Sequence, residues 1–196
     1  MPSDTKERLV DAAWDCVRRG GLAGATSRAI TGVAEANLGA INYHFGSKEA
    51  LLAETIGAAI ERLVRPAVEA LQDEGLDPVS RVLVAVGRLQ QAYDRSAEDA
   101  PAYLEVLVQS RRHPLLQARV SRVFTDVRSF LAGQMDEQQV QGLLPAWVEP
   151  EPMAALLLAV AQGVVLQSVI DGDGPSQTSI SSQFAQLLIA SRPAHP

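Results

Sequence analysis

The chain has 196 residues, 47% of them hydrophobic and 20% charged, and a net charge of −6. That composition excludes a disordered or fibrous chain and allows one good core, or a small domain joined to a larger one. The lone cysteine, Cys16, excludes an internal disulfide and any Cys-rich metal site and suits a reducing compartment.

Charge is unevenly placed. The first fifty residues hold six basic and six acidic side chains, so residues 51–196 carry the whole −6. No Lys or Arg occurs between Arg128 and Arg192, whereas Asp136, Glu137, Glu149, Glu151, Asp171 and Asp173 all fall there. A polyanion is expected to avoid that end and to be tolerated by the first. The opening MPSDTKER is charged and lacks an apolar signal core, which predicts a cytoplasmic protein.

In chain order, Leu9, Ala12, Ala13, Cys16 and Val17 form an apolar stripe on a first helix, Thr5 to Arg19, stopped by Gly20-Gly21. These neighbours make Cys16 a buried structural thiol. Thr26 or Ser27 then caps a short helix to about Glu35, with Ile30, Val33 and Ala34 turned inward. Asn37 caps a third, Leu38 to Phe45, with Ile41 and Phe45 on its inner side. Gly46-Ser47 breaks that helix and caps a fourth, Lys48 to about Leu71. A fifth runs from Pro78 to Arg95, a sixth from about Ala100 to Arg112, and a seventh from Pro114 to about Met135. Val140 to Leu144 adds a further helical turn before a Pro-rich loop to Pro152.

Met153 to Ile170 is nearly all apolar and long enough to span a membrane, but acids flank both ends and no basic residue sets an orientation. A buried helix is the better reading. After DGDGPSQ, Ile180, Phe184, Leu187 and Leu188 make a last amphipathic stripe. The whole is an all-α fold of about nine helices, with no alternation long enough for a sheet. Two such apolar helices exceed what one domain of this size covers, which predicts a two-fold homodimer through them. Leu157, Val160, Val164, Gln167, Phe184 and Leu188 are its expected contacts.

The stretch NLGAINYHFGSK, residues 37–48, carries the densest polar chemistry. Consecutive helical residues point about 100° apart, so Asn42, Tyr43 and His44 cannot converge on one reacting atom. His44, His113 and His195 lack metal-ligand spacing, and no nucleophile elbow, P-loop or dinucleotide fingerprint occurs. Neither catalysis, nor a metal, nor a cofactor is expected. A short helix after a tight turn, with a small and polar outer face, is instead how helix-turn-helix proteins enter the major groove. Thr26, Ser27 and Arg28 at the start of helix two and Lys48 at the start of helix four are placed for phosphates. Asn42 could pair with adenine, the Ala40 methyl could pack on thymine, and Gly39 lets the backbone come near.

Residues from about Thr5 to Thr55 resemble the TetR (tetracycline-repressor-like) family of transcriptional regulators. The resemblance rests on the amphipathic first helix, GATSRAI, and NLGAINYHFGSKEALL in this order, with Tyr43 to Leu52 its most specific run. It implies that Asn37 to Phe45 is the recognition helix with its cap. Asn37, Leu38, Gly39, Ala40 and Asn42 would meet bases or nearby backbone, and Thr26, Arg28, Tyr43, His44 and Lys48 would hold phosphates. It further implies a helix-turn-helix domain over 3–64 and a second domain over 65–196 that binds a small molecule and dimerises through the last two helices. Bound ligand would shift helix four and so alter the spacing of two recognition helices. The partners implied are operator DNA with an inverted repeat, a second copy, and a small-molecule effector, with a protein effector or an all-α enzyme or carrier as alternatives.

The sequence departs from the family pattern at the turn, where Glu35 stands in place of Gly and Gly32 lies inside helix two. A left-handed Glu35 would cost on the order of 1 kcal/mol. Tyr93, Tyr103, Phe124, Phe130 and Trp147 are aromatic and Gln90, Gln109 and His113 polar, but packing or solvent explains each better than ligand contact, so the sequence assigns no pocket residue. Arg111, Arg112, Arg119, Arg122 and Arg128 read as a solvated basic face balanced by the domain's acids.

Overall fold

A computed structural model describes residues 2–171, 174–176, 179–180, 182–183 and 186–187. Its helices are α1 (Pro2–Gly24), α2 (Ser27–Val33), α3 (Gly39–Phe45), α4 (Lys48–Leu71), α5 (Pro78–Arg95), α6 (Ala100–Ser110), α7 (Pro114–Val140) and α8 (Pro150–Ile170), with a 3-10 turn at Ala97–Asp99. No strand occurs among the described residues. The all-α expectation holds. Of the ninth predicted helix, Phe184 and Leu188 lie outside the described residues.

Local chemistry sets most boundaries. At Gly20 and Gly21 the backbone leaves helical geometry, with φ of 62° and ψ of −170° at Gly21, before a last turn to Gly24. The Ser47 hydroxyl accepts from the Ala50 amide at 3.0 Å and opens α4. The Asp77 carboxylate accepts from the Ser80 amide at 3.2 Å and opens α5. Several boundaries differ from the sequence reading: α1 starts at Pro2, α6 ends at Ser110, and no further helical turn follows α7 at 141–144. α7 runs on unbroken to Val140, because nothing between Met135 and Val140 interrupts it. α8 begins at Pro150, since a proline in the first turn gives up no helical bond.

The chain forms two compact units. The first joins residues 1–62 to residues 98–123, and the second joins 63–97 to 124–196. The sequence-predicted division after residue 64 falls beside the first of these seams, inside α4, but the first unit also takes in α6 and the start of α7. Its core is large and aliphatic: Leu9, Ile30, Ile41, Leu51, Ile56, Ile60, Val17 and Val106 are essentially inaccessible. The predicted stripe of α1 is buried throughout, and burial pushes the Cys16 thiol above its ordinary value, so it stays protonated and inert.

Polar contacts fasten α6 and α7 into this unit. Asp99 accepts from Arg18 Nη1 at 3.1 Å and from Trp14 Nε1 at 3.5 Å, while Arg18 also reaches Asp15 at 3.0 Å. On the other side Arg119 Nη2 donates to Glu61 Oε1 at 2.6 Å, its guanidinium lying flat against Gly57 where any Cβ would collide. Arg111, Arg112 and Arg122 are exposed as expected, but Arg119, and Arg128 in the second unit, are half-buried.

The second unit has a finer-grained core. Ala67 and Ala70 of α4 meet Ala85 of α5, with Leu71, Val84 and Leu89 around them. Gln139 braces the α7–α8 loop by donating to the Val148 carbonyl at 2.6 Å and the Pro145 carbonyl at 3.1 Å. α8 is long and apolar enough to cross a membrane by length and composition, and little of it is buried within the chain. Leu156, Leu166, Val169 and Ile170 are exposed on it, whereas the predicted contacts Leu157 and Val160 are half-buried, Val164 is buried and Gln167 is exposed.

Candidate nucleic-acid interface

The interface is built from three helix ends and one turn. Thr26, extended at φ −79° and ψ 154°, caps α2 with its hydroxyl oxygen accepting from the Ala29 amide at 3.2 Å. That bond uses an acceptor lone pair and leaves the hydroxyl proton for an outside oxygen. Arg28 beside it is exposed, and Ser27 is half-buried. Thr31, within α2, is buried and returns its hydroxyl proton to the Ser27 carbonyl at 2.8 Å.

The turn after α2 is closed by two backbone bonds, Ala36 N–H to the Thr31 carbonyl at 3.0 Å and Glu35 N–H to the Gly32 carbonyl at 3.4 Å. These are the two bonds of a Schellman stop, which requires a left-handed residue between them. That residue is Glu35, with φ of 49°. A left-handed residue thus closes the turn at the position where the resemblance expects Gly. Ala34 seals the inside of the turn at 4% exposure, but Val33, predicted inward, is 45% exposed, because Ile30, Thr31 and Ala34 set the buried side of α2 and Val33 points about 200° from Thr31.

α3 separates into two faces with a repeat of four. Ala40 and Ile41 are buried and His44 and Phe45 half-buried, while Leu38, Gly39, Asn42 and Tyr43 are exposed. Tyr43 stands 85% exposed, against 2% for Ile41. The placement corrects the expectation for Ala40, whose methyl packs inward and is not offered to a base. It also corrects the cap: Leu38 occupies the N-cap position with no side-chain bond, and the Asn37 backbone carbonyl accepts from the Ala40 amide at 3.0 Å. The Asn37 side chain stays exposed.

Charge gathers at the far end of α3. The Tyr43 and His44 rings meet edge-on with centroids 4.9 Å apart. Lys48, the first residue of α4, approaches Glu49 only at 4.0 Å, a pairing too loose and too solvated to neutralise it. Lys6 of α1, which is not among the sequence-predicted residues, sets its ammonium 5.6 Å from the centre of the Phe45 ring. Lys6 and Phe45 are far apart in sequence, and the single signal that could find the pair is a basic residue on the polar face of α1.

The aromatic and polar residues singled out in the sequence fall in both units. Tyr103, Gln109 and His113 belong to the first unit, and Gln90, Tyr93, Phe124, Phe130 and Trp147 to the second. Gln109 is bonded to Glu105 at 2.7 Å, His113 is exposed and Trp147 is 65% exposed. Burial pushes the Tyr103 phenol up to about 12. A recess of about 120 Å³ at the end of α8 is lined by other residues, among them Val164, Gln167, Asp171, Pro175 and Ile180. Among the described residues no group of three His, Cys, Asp or Glu side chains could hold a metal ion.

Comparison with known proteins bears on the whole chain. The family model for bacterial regulatory proteins of the tetR family matches residues 9–55, and that for the C-terminal part of BetI-type transcriptional repressors matches residues 78–189. The HTH-type transcriptional regulator UidR of Escherichia coli strain K12 is 25% identical over 162 residues, which are 82% of this chain and 80% of that one. A TetR transcription regulator from Haloarcula marismortui superposes with a TM-score of 0.81 at 21% identity, over 97% of this chain and 100% of that one. A transcriptional regulator from Saccharomonospora viridis, solved in complex with choline, superposes with a TM-score of 0.77 at 18% identity, over 98% of this chain and 100% of that one.

Proposed function

The chain belongs to the TetR family of bacterial transcription regulators, and from that premise we propose that it is a homodimeric repressor whose paired α3 helices read an inverted-repeat operator and which a small molecule releases. It is a DNA-binding regulator and not an enzyme. The observation that carries the reading is the outward face of α3, where Leu38, Gly39, Asn42 and Tyr43 are exposed together while Ile41 anchors the opposite side. Asn42 is the base-reading residue, with Leu38 and Gly39 beside it. Thr26, Ser27, Arg28, Asn37, Tyr43, His44 and Lys48 hold the sugar-phosphate backbone.

Residues 3–64 are the DNA-reading domain and 65–196 the effector and dimerisation domain. The exposed Leu156, Leu166, Val169 and Ile170 support dimerisation through α8. With them the expected contacts are Leu157, Val160, Gln167, Phe184 and Leu188, Val164 serving as the buried support behind. The effector is a small organic molecule, a reading supported by the choline complex of the Saccharomonospora viridis regulator. Helix α4 contributes to both compact units, so it is the element whose shift would change the spacing of two recognition helices.

Selection of bound duplex from a random pool tests the reading, with an inverted repeat as the expected product. Roughly six phosphate contacts per dimer give a log-log salt slope near −5. Arg28→Ala and Lys48→Ala should weaken all duplexes about equally, and Asn42→Ala should alter sequence preference too. No enrichment, with a monomer at micromolar concentration, would overturn it. In a thermal-shift screen of metabolites, an effector at 100 times its Kd adds about 2.7 kcal/mol to stability.

A further inference from the structure

We propose that Lys6 is a DNA-phosphate contact, supplied by α1 and held in place by the Phe45 ring at the end of the recognition helix. The inference rests on the DNA-binding reading and adds a residue to it. The Lys6 ammonium lies 5.6 Å from the Phe45 ring centre and its side chain is exposed. Phe45 directly follows Tyr43 and His44, and Lys48 lies three residues further on, so four groups able to bind an anion lie near one helix end.

Among the described residues Lys6 makes no ion pair, whereas Arg18, Arg62 and Arg119 of the same unit each have a carboxylate partner. Among the described residues no carboxylate compensates its charge. An aromatic face attracts an ammonium without neutralising it and occupies one side of it, leaving other protons for a phosphate oxygen. The ring also restricts a flexible four-carbon stem before DNA arrives, which lowers the ordering cost of the contact. A tether that served folding alone would need none of that exposure.

The test is anisotropy titration of the full chain with two labelled duplexes, the selected operator and an unrelated sequence, between 50 and 200 mM salt. Loss of one contact per subunit, at about 0.9 each, should reduce the steepness of the log-log slope by about 1.8. The affinity deficit of Lys6→Gln should accordingly shrink about tenfold across that range, equally on both duplexes. Lys6→Met, which keeps the stem against the ring, should match Lys6→Gln, and Lys6→Arg should restore the wild-type slope. Phe45→Leu should lower affinity on both duplexes with the slope unchanged. A wild-type slope in Lys6→Gln and Lys6→Met, whatever their affinity, makes Lys6 a structural tether and overturns the inference. If the wild-type chain itself shows no salt-dependent binding to either duplex, the DNA-binding reading fails first.

Discussion

Replacing Glu35 with glycine should make this protein more stable, although it deletes every atom of a side chain. Glu35 sits at φ 49°, where a Cβ crowds the following carbonyl at a cost of about 1–2 kcal/mol. It is exposed at the tip of the turn, and its backbone N–H bond to Gly32 survives the substitution. Glycine removes the strain but adds freedom to the unfolded chain, an opposing effect of about 0.4–1 kcal/mol. The net gain is about 0.5–1 kcal/mol, or roughly 1–4 °C in Tm for a chain of this size. Because the Tm of any self-associating chain depends on concentration, melts of the two proteins must be compared at one protein concentration. Glu35→Ala is the control: it removes the same charge, keeps the Cβ, and should stay within about 0.5 kcal/mol of wild type. A glycine variant that melts lower than wild type, or an alanine variant that gains as much as glycine, would refute the strain argument.

Three further outcomes follow from the packing. Thr55 is fully buried with its hydroxyl unpartnered, so Thr55→Val, which keeps the shape, should stabilise by about 1 kcal/mol in urea unfolding; a loss would mean that the hydroxyl has a partner after all. Gly57→Ala should push the Arg119 guanidinium off α4, a loss that the better helix propensity of alanine offsets by about 0.5–1 kcal/mol, so the same substitution should be more favourable in an Arg119→Ala background, as a double-mutant cycle would read. Fully additive effects would disconnect the two residues. The Tyr103 phenol, raised by burial from 10.0 to about 12, must stay protonated in the fold. Its contribution is whole below the unfolded value and is lost as pH rises through the folded one, so wild-type stability should fall between pH 10 and 12 and Tyr103→Phe should flatten that fall. Parallel pH profiles for the two proteins would contradict this.

What the sequence reveals depends on how local the cause is. The start of α4 was readable because Ser47 acts within three residues of the amide that it caps, and that of α5 because Pro78 suits a first turn; the Asp77 cap was not foreseen. The stripe of α1 was readable because its turns fix one phase of burial. Helices of seven residues give too few turns to do so, which is why Val33 and Ala40 were assigned to the wrong sides. The left-handed turn could be foreseen as a question, from Glu35 in a glycine's place, but not answered. Contacts between distant residues, such as Asp99 with Trp14 and Arg18 or Lys6 with Phe45, leave no periodic trace. The outer face of α8 was hidden for the opposite reason, since a helix apolar on all sides does not announce which side is covered.

The make-up of the first compact unit bears on how such proteins can be recombined. Helices α1 to α3 do not end at a linker, because they share a compact unit with a segment that returns some forty positions later and holds the buried Val106, Leu116 and Val120. A chimera that swaps only the first sixty-odd residues between relatives would cut through this shared unit and strand Trp14 and Arg18 without Asp99. Transplanting DNA specificity onto another sensor should succeed when residues 98–123 travel with the graft.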